Sequence, residues 1–175
     1  MRDFRSPPER LSDMKRFIFV GFEKSCYNMA KFDSDPERRM AVILEQDPSV
    51  QLWMKPGPNQ FKIYDEDNAP YQPDFVVETK TDKLIIETKR ASEMTNAQVI
   101  RKADAAALWC HIANRANGRN ADDKPWSYLL VPETAVLPNA TISGLMATHT
   151  RSVDADLLSR YSLQDESQFS KSEIA

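Results

Sequence analysis

The stretch "YQPDFVVETKTDKLIIETKR", residues 71–90, limits the possible folds more than any other part of the chain. Its halves "YQPDFVVET" and "KLIIETK" are rich in Val, Ile, Phe and Tyr, and the polar "KTD" between them reads as a hairpin tip. An even-numbered turn centred on Lys80 and Thr81 pairs 79 with 82, 78 with 83, and so on down to 74 with 87. Asp74 then stands opposite Glu87, and the two-residue period of a strand puts Lys89 on the same face as Glu87. Leu84, Ile85 and Ile86 directly before Glu87 point to an interior strand, where unpaired charge is costly.

The flanking sequence places this hairpin in an α/β domain. "SDPERRMAVILEQD" (34–47) predicts a helix: Ser34 caps it, Pro36 falls in its first turn, Glu37 completes a capping box, and Asp47-Pro48 marks its end. "VQLWMK" and "FKIYD" alternate apolar and polar residues around the turn cluster "KPGPN", and are expected to pair as antiparallel strands and continue into the hairpin. "NAQVIRKADAAALWCHIAN" (96–114) has helical spacing and is expected to end near Gly118; "WSYLLVP" (126–132) follows as a strand reached by crossover, hence parallel. The predicted order is helix, three-strand antiparallel meander, crossover helix, parallel strand. Residues 1–33 read as an N-terminal extension docking through a short strand at 17–22, residues 34–150 as the main domain, and 151–175 as a polar tail, with "ATISGLMATH" a short further element.

Composition narrows the function. A chain of 175 residues with 41% hydrophobic content buries one sizeable core. No apolar run approaches the roughly 20 residues that span a bilayer, and "MRDFRSPPER" lacks the apolar stretch of a signal peptide, so no membrane role is expected. Cys26 and Cys110 are too few for a disulfide scaffold and are expected as reduced, packed thiols in a cytoplasmic protein. His111 and His149 have no metal-ligand spacing to a cysteine or to each other, which argues against structural zinc. The net charge of −3 provides no global attraction for nucleic acid; a local patch from Arg90, Arg115, Arg119 and Lys124, or a partner chain, would have to supply it.

Asp74 and Glu87 facing each other across a hairpin repel unless a cation sits between them, and acidic oxygen ligands suit a hard ion such as magnesium. Lys89 beside them could orient or help deprotonate a metal-bound water and neutralise a phosphate during in-line displacement. The competing reading of "ETK" is an exposed cross-strand ion pair of little consequence.

Pro73-Asp74, twelve intervening residues, then Glu87-Thr88-Lys89 resembles the PD-(D/E)xK signature of restriction-endonuclease-like nucleases. "FDSDPERRMAVILEQDPSVQLWMK", "FKIYD", "YQPDFVV", "LIIETKR" and "KADAAALWC" together are similar to the C-terminal nuclease domain of the helicase-nuclease (Res) subunit of type III restriction enzymes, over roughly residues 30–132. The resemblance implies a restriction-endonuclease-like core and a magnesium-dependent DNA endonuclease, with manganese a possible substitute, serving restriction or anti-phage defence. It implies that Asp74, Glu87 and the Thr88 carbonyl ligate the metal and that Lys89 acts on the water. Glu37 would hold a water or second metal, and Lys102 would point toward the scissile phosphate. Capping accounts for Glu37 equally well, and a solvated face shared with Arg101 accounts for Lys102. Trp109 and His111 are expected to pack. The helicase motor of that subunit requires G-x-x-x-x-G-K-[ST], which does not occur, so a helicase or translocase partner is expected. The alternatives are a catalytically inactive nuclease-like module that docks on DNA or bridges proteins, and a nuclease of repair or RNA processing.

Overall fold

The computed structural model describes residues 1–65, 67–117 and 123–160. The chain begins with three short strands, β1 (Arg2–Asp3), β2 (Phe19–Val20) and β3 (Met29–Ala30), and enters helix α1 (Asp35–Gln46). β4 (Val50–Met54), β5 (Ile63–Tyr64), β6 (Pro70–Tyr71), β7 (Phe75–Thr79) and β8 (Lys83–Lys89) follow. Helix α2 (Ala97–Asn117) leads to β9 (Trp126–Pro132) and α3 (Ile142–His149), and a last helical segment spans 155–160.

Helix α1 starts and stops for the reasons its sequence gives. Ser34 Oγ accepts the Glu37 N–H at 3.4 Å, and Pro36, lacking an N–H, sits in the first turn, where none is needed. Pro48 disfavours helical backbone at Asp47, which is extended at φ −70°, ψ 120°. Met40, Ala41, Ile43 and Leu44 are buried, forming the face that meets the sheet.

That sheet has the order β4-β7-β8-β9. β7 is antiparallel to β4 and to β8, and β9 runs parallel to β8, which therefore lies inside the sheet as its apolar run predicts. The strand period divides β8 between two cores. Leu84 and Ile86 join Trp53, Phe75, Leu129 and Val131 under α1 and α3, while Ile85 joins Tyr128, Leu130 and the small residues Ala103, Ala106 and Cys110 of α2. The mixed α/β architecture is the restriction-endonuclease-like one expected.

One expected pairing differs. β4 does not pair with "FKIYD"; it pairs directly with β7, and β5 pairs with β6 as a separate two-stranded ribbon. Two local features turn the chain away. Pro56 and Pro58 have no N–H for a ladder, and Asn59 adopts φ 68° between them and β5. A tight turn then closes β5 on β6, with Asp65 Oδ1 accepting the N–H groups of Asp67 at 3.1 Å and Ala69 at 2.9 Å. The meander thus consists of β4, β7 and β8, with β5-β6 as an excursion.

The N-terminal segment packs into the main core through Phe4, Met14, Phe19 and Phe32, and the strand expected at 17–22 is β2, flanked by parallel β1 and antiparallel β3. Residues 24–26 run along the outer side of β4: Trp53 N–H donates to the Lys24 carbonyl at 3.0 Å and Cys26 N–H to the Trp53 carbonyl at 2.8 Å. On the far side Thr150 bridges Leu129, and Arg151 N–H donates to the Tyr128 carbonyl at 2.9 Å. Cys110 is packed as expected, but Cys26 is exposed; both thiols are free. The expected helix end near Gly118 and residues 161–175 of the polar tail expected at 151–175 lie outside the described residues, whereas 155–160 are helical and Leu157 is buried. Among the described residues no helix is long and apolar enough to cross a membrane.

Ile86 is fully buried at the centre of the first core. Ile86→Ala is expected to lower stability by about 2–5 kcal/mol, read from the midpoint of urea unfolding.

Candidate active site

The register of the β7–β8 hairpin builds the site. Phe75 pairs with Ile86, Val76 with Ile85, Val77 with Leu84 and Glu78 with Lys83, as a turn centred on Lys80 and Thr81 requires. One step further, Asp74 meets Glu87. The Asp74 N–H donates to Glu87 Oε2 at 3.2 Å, and Asp74 Oδ2 accepts from the Thr88 N–H at 2.9 Å and the Thr88 hydroxyl at 2.8 Å. Lys89 Nζ lies 2.7 Å from Glu87 Oε1. Asp74, Glu87, Thr88 and Lys89 are therefore one bonded unit.

Its electrostatics follow from burial. Glu87 is only 6% exposed; loss of solvent and then the nearby Asp74 charge push its carboxyl up to about 7, against the downward pull of Lys89. For Lys89, burial favours the neutral amine, but Glu87, Asp74 and Glu93 outweigh it and raise its pKa. Lys89 is thus an ammonium at neutral pH. Tyr71 and Tyr128 stand within the field of both carboxylates, and burial first, then neighbouring charge, holds both phenols neutral.

Glu37 sits in a second unit on α1. Its Oε1 accepts from the Ser34 hydroxyl at 3.0 Å, and its Oε2 accepts from the Asp33 N–H at 3.1 Å and from Lys55 Nζ at 2.8 Å. The capping box therefore closes on Asp33, one residue before the cap. Lys55 was not expected from the sequence: it follows β4 as one more lysine before a proline turn, and only the fold carries it to the site. Burial lowers its pKa, but Glu37, Asp74 and Asp33 more than compensate, and the net shift is upward. The two units thus share the field of Asp74.

Other expected residues are placed as follows. Lys102 Nζ lies 5.9 Å from the centre of the Tyr71 ring, against the wall of the site. Trp109 packs edge-on to Phe61 and Trp126 at centroid distances of 5.3 and 5.1 Å, as expected of a core residue. The expected basic patch does not form as one surface. Lys124 Nζ is held by Glu78 at 2.6 Å and the Thr79 carbonyl at 2.7 Å at the hairpin tip, whereas Arg90 follows β8 at its opposite end. Arg119 lies outside the described residues.

A cleft of about 510 Å³ opens onto Thr88, Lys89 and Arg90 on one wall and Asp33 and Glu37 on the other, with Lys15 at its border. A second cleft of about 520 Å³ is lined by Lys55, Lys31, Tyr27 and Gln72 and also reaches Asp33. Among the described residues no three Asp, Glu, His or Cys side chains gather as a metal-binding set. An ion at the acidic pair would need further oxygens from the main chain or from a ligand.

A mixed sheet carrying Asp on one hairpin strand and Glu-x-Lys on the next defines a restriction-endonuclease-like protein. The endonuclease domain family matches residues 23–113, just over half of the chain, and the chain belongs to that family. The matched segment contains both bonded units and stops within α2, before β9. A comparison with curated proteins finds no match.

The raised carboxyl of Glu87 makes the unliganded protein pH-sensitive. Its folded pKa of about 7 exceeds the ordinary value of 4.5, so between these the folded chain keeps a proton that the unfolded chain has released, and stability falls as pH rises through this window. Glu87→Gln mimics the protonated form. It is expected to flatten this dependence and to stabilise the protein at pH 8 by on the order of 3 kcal/mol, read from urea unfolding at pH 5 and 8 in chelator.

Proposed function

We propose that this protein is a magnesium-dependent DNA endonuclease acting at Asp74, Glu87 and Lys89. The observation that supports this most is the burial of Glu87 against Asp74 with a single ammonium, Lys89, in direct contact. Such a pair is over-negative when both groups ionise, and its all-oxygen character fits a hard divalent cation, magnesium first and manganese as a substitute. Asp74, Glu87 and the Thr88 carbonyl would hold the ion. Bound there, it would polarise the phosphate and offset the charge that grows in the transition state.

The chain's own groups do the rest. Lys89 is 29% exposed at its side chain and lines the cleft, so its ammonium can reach both a water and a phosphate oxygen there. Its ammonium contributes by orienting the water and by its charge. The water's oxygen forms the new bond to phosphorus as the bond to the leaving ester oxygen breaks; the water gives up its proton to solvent, and the leaving oxygen takes a proton from solvent. Thr88 fixes Asp74 through two hydrogen bonds, which keeps the carboxylate aimed while substrate enters. Lys102, beside Tyr71, adds positive charge on the α2 side and is assigned to the scissile phosphate.

The similarity of residues 30–132 to the Res nuclease domain supports a role in restriction or antiviral defence with a helicase or translocase partner. The charge distribution agrees with recruitment by such a partner: net charge is −3, and Lys124 and Arg90 lie at opposite ends of β8. The isolated chain is expected to bind DNA weakly, with affinity falling steeply between 50 and 200 mM salt in a fluorescence-anisotropy titration.

Lys89→Ala is expected to reduce nicking of supercoiled plasmid about a hundredfold or more while leaving magnesium affinity by calorimetry nearly unchanged. Asp74→Asn should instead weaken magnesium binding itself. Parent-level nicking by Lys89→Ala would overturn the reading, with the helicase-type partner added if the chain alone is silent.

A further inference from the structure

The second cleft, of about 520 Å³, has no part in the reaction above. Its lining presents large side chains to solvent: Tyr27 is 39% and Met29 53% exposed. The Tyr27 hydroxyl donates to Gln60 Oε1 at 3.0 Å, which holds the ring at the cleft. From Met29 onward the two-residue period of β3 turns Met29 and Lys31 outward to the cleft, and Ala30 and Phe32 inward to the first core.

Two exposed amides complete the lining, and the main chain fixes which way each points. The Gly57 N–H donates to Gln60 Oε1 at 2.6 Å, and Gln72 Nε2 donates to the Pro56 carbonyl at 2.6 Å, so neither amide can be reversed without losing its bond. Among the described residues, Gln60 Nε2 and Gln72 Oε1 have no hydrogen-bond partner, which leaves one donor and one acceptor for a ligand. An aromatic face beside a thioether suits a flat ring, the amide pair suits the polar edge of a base, and the Lys31 ammonium suits a phosphate. The cleft's volume falls in the range of roughly 300–1,000 Å³ that takes small organic ligands. Its position links it to the acidic pair: Gln72 stands two residues before Asp74, and Asp33 lines both this cleft and the one that opens onto Lys89.

We infer that this cleft is a subsite for an unpaired base of the DNA strand being cut, stacked on Tyr27 and Met29 with Lys31 at its phosphate. The inference rests on the reading of Asp74, Glu87 and Lys89 as a DNA-cutting site. A base reaches such a platform only after leaving its pair, so the subsite selects single-stranded or frayed DNA over intact duplex.

The test measures fluorescence anisotropy of a short labelled single strand and of the duplex of the same length, at about 50 mM salt and in chelator so that no cleavage intervenes. The natural protein is expected to bind the single strand more tightly than the duplex. Tyr27→Ala should lose roughly five- to a hundredfold of the single-strand affinity, the worth of one stacked base, with little change for the duplex. Tyr27→Phe, which keeps the ring, should retain most of that affinity. Equal affinity of the natural protein for both forms, or undiminished single-strand affinity in Tyr27→Ala that circular dichroism shows to be folded, would overturn the inference; plasmid nicking by the natural protein would still uphold the proposed function. Binding that depends on Tyr27 but is followed by no cleavage in magnesium would overturn the proposed function and leave the cleft as a base-binding site. If Tyr27→Ala does not fold, an abasic strand of the same length decides on the natural protein alone: weaker binding than the normal strand supports the subsite, and equal binding overturns it.

Discussion

The interaction on which the rest depends is the forced encounter of Asp74 and Glu87. Neither carboxylate can move away, because the hairpin ladder from Phe75–Ile86 to Glu78–Lys83 fixes where each strand ends. A slip of one residue would carry Glu87 and Lys89 to the other face and bring Ile86 out of the first core. Hydrophobic burial on both sides of β8 therefore holds two like charges together. The repulsion is concentrated where a cation would relieve it most, as at sites where local stability is given up for binding.

The elements around the hairpin serve this constraint. β9 holds β8 from one side along its whole length and β7 pairs it from Lys83 to Ile86 on the other, so Glu87 sits on an interior strand with Asp74 just before β7. Helix α1 is anchored by its cap and by Asp47, whose Oδ2 accepts the Ile142 N–H at 2.7 Å and so ties the helix end to α3. That tie sets the depth at which Glu37 meets Lys55. The wall on the other face is largely apolar: alanines of α2 bring the helix backbone close to Ile85 and Tyr128 and leave room for phenols.

Most of this was readable in advance because it follows from period and punctuation. The hairpin register came from counting outward from Lys80 and Thr81, and the α1 start from Ser34, Pro36 and Glu37. The pairing of β4 was missed because alternation marks a strand without naming its neighbour; Pro56, Pro58 and the Asp65 turn divert the intervening ribbon, and their combined effect is three-dimensional. Lys55 was missed for a related reason. Its importance lies in contacts with α1, 18 residues away in sequence, and a lysine before a proline turn has no local pattern to announce them. The basic patch failed because spacing cannot tell that Lys124 is consumed at the hairpin tip.

The short bridges along the outer strands have a consequence for how this domain can be excised. Residues 24–26 bridge Trp53 on the free side of β4, and Thr150 and Arg151 bridge Leu129 and Tyr128 on that of β9, so each outward row of N–H and C=O groups is covered at its middle. Open rows of this kind template pairing between molecules. A fragment trimmed to the family match at 23–113 keeps the first cover but loses β9, its cover and the whole parallel flank of β8. The strand carrying Glu87 and Lys89 would then become an unprotected, apolar sheet margin, and such a fragment would be driven toward intermolecular aggregation even though every presumed catalytic residue is still present.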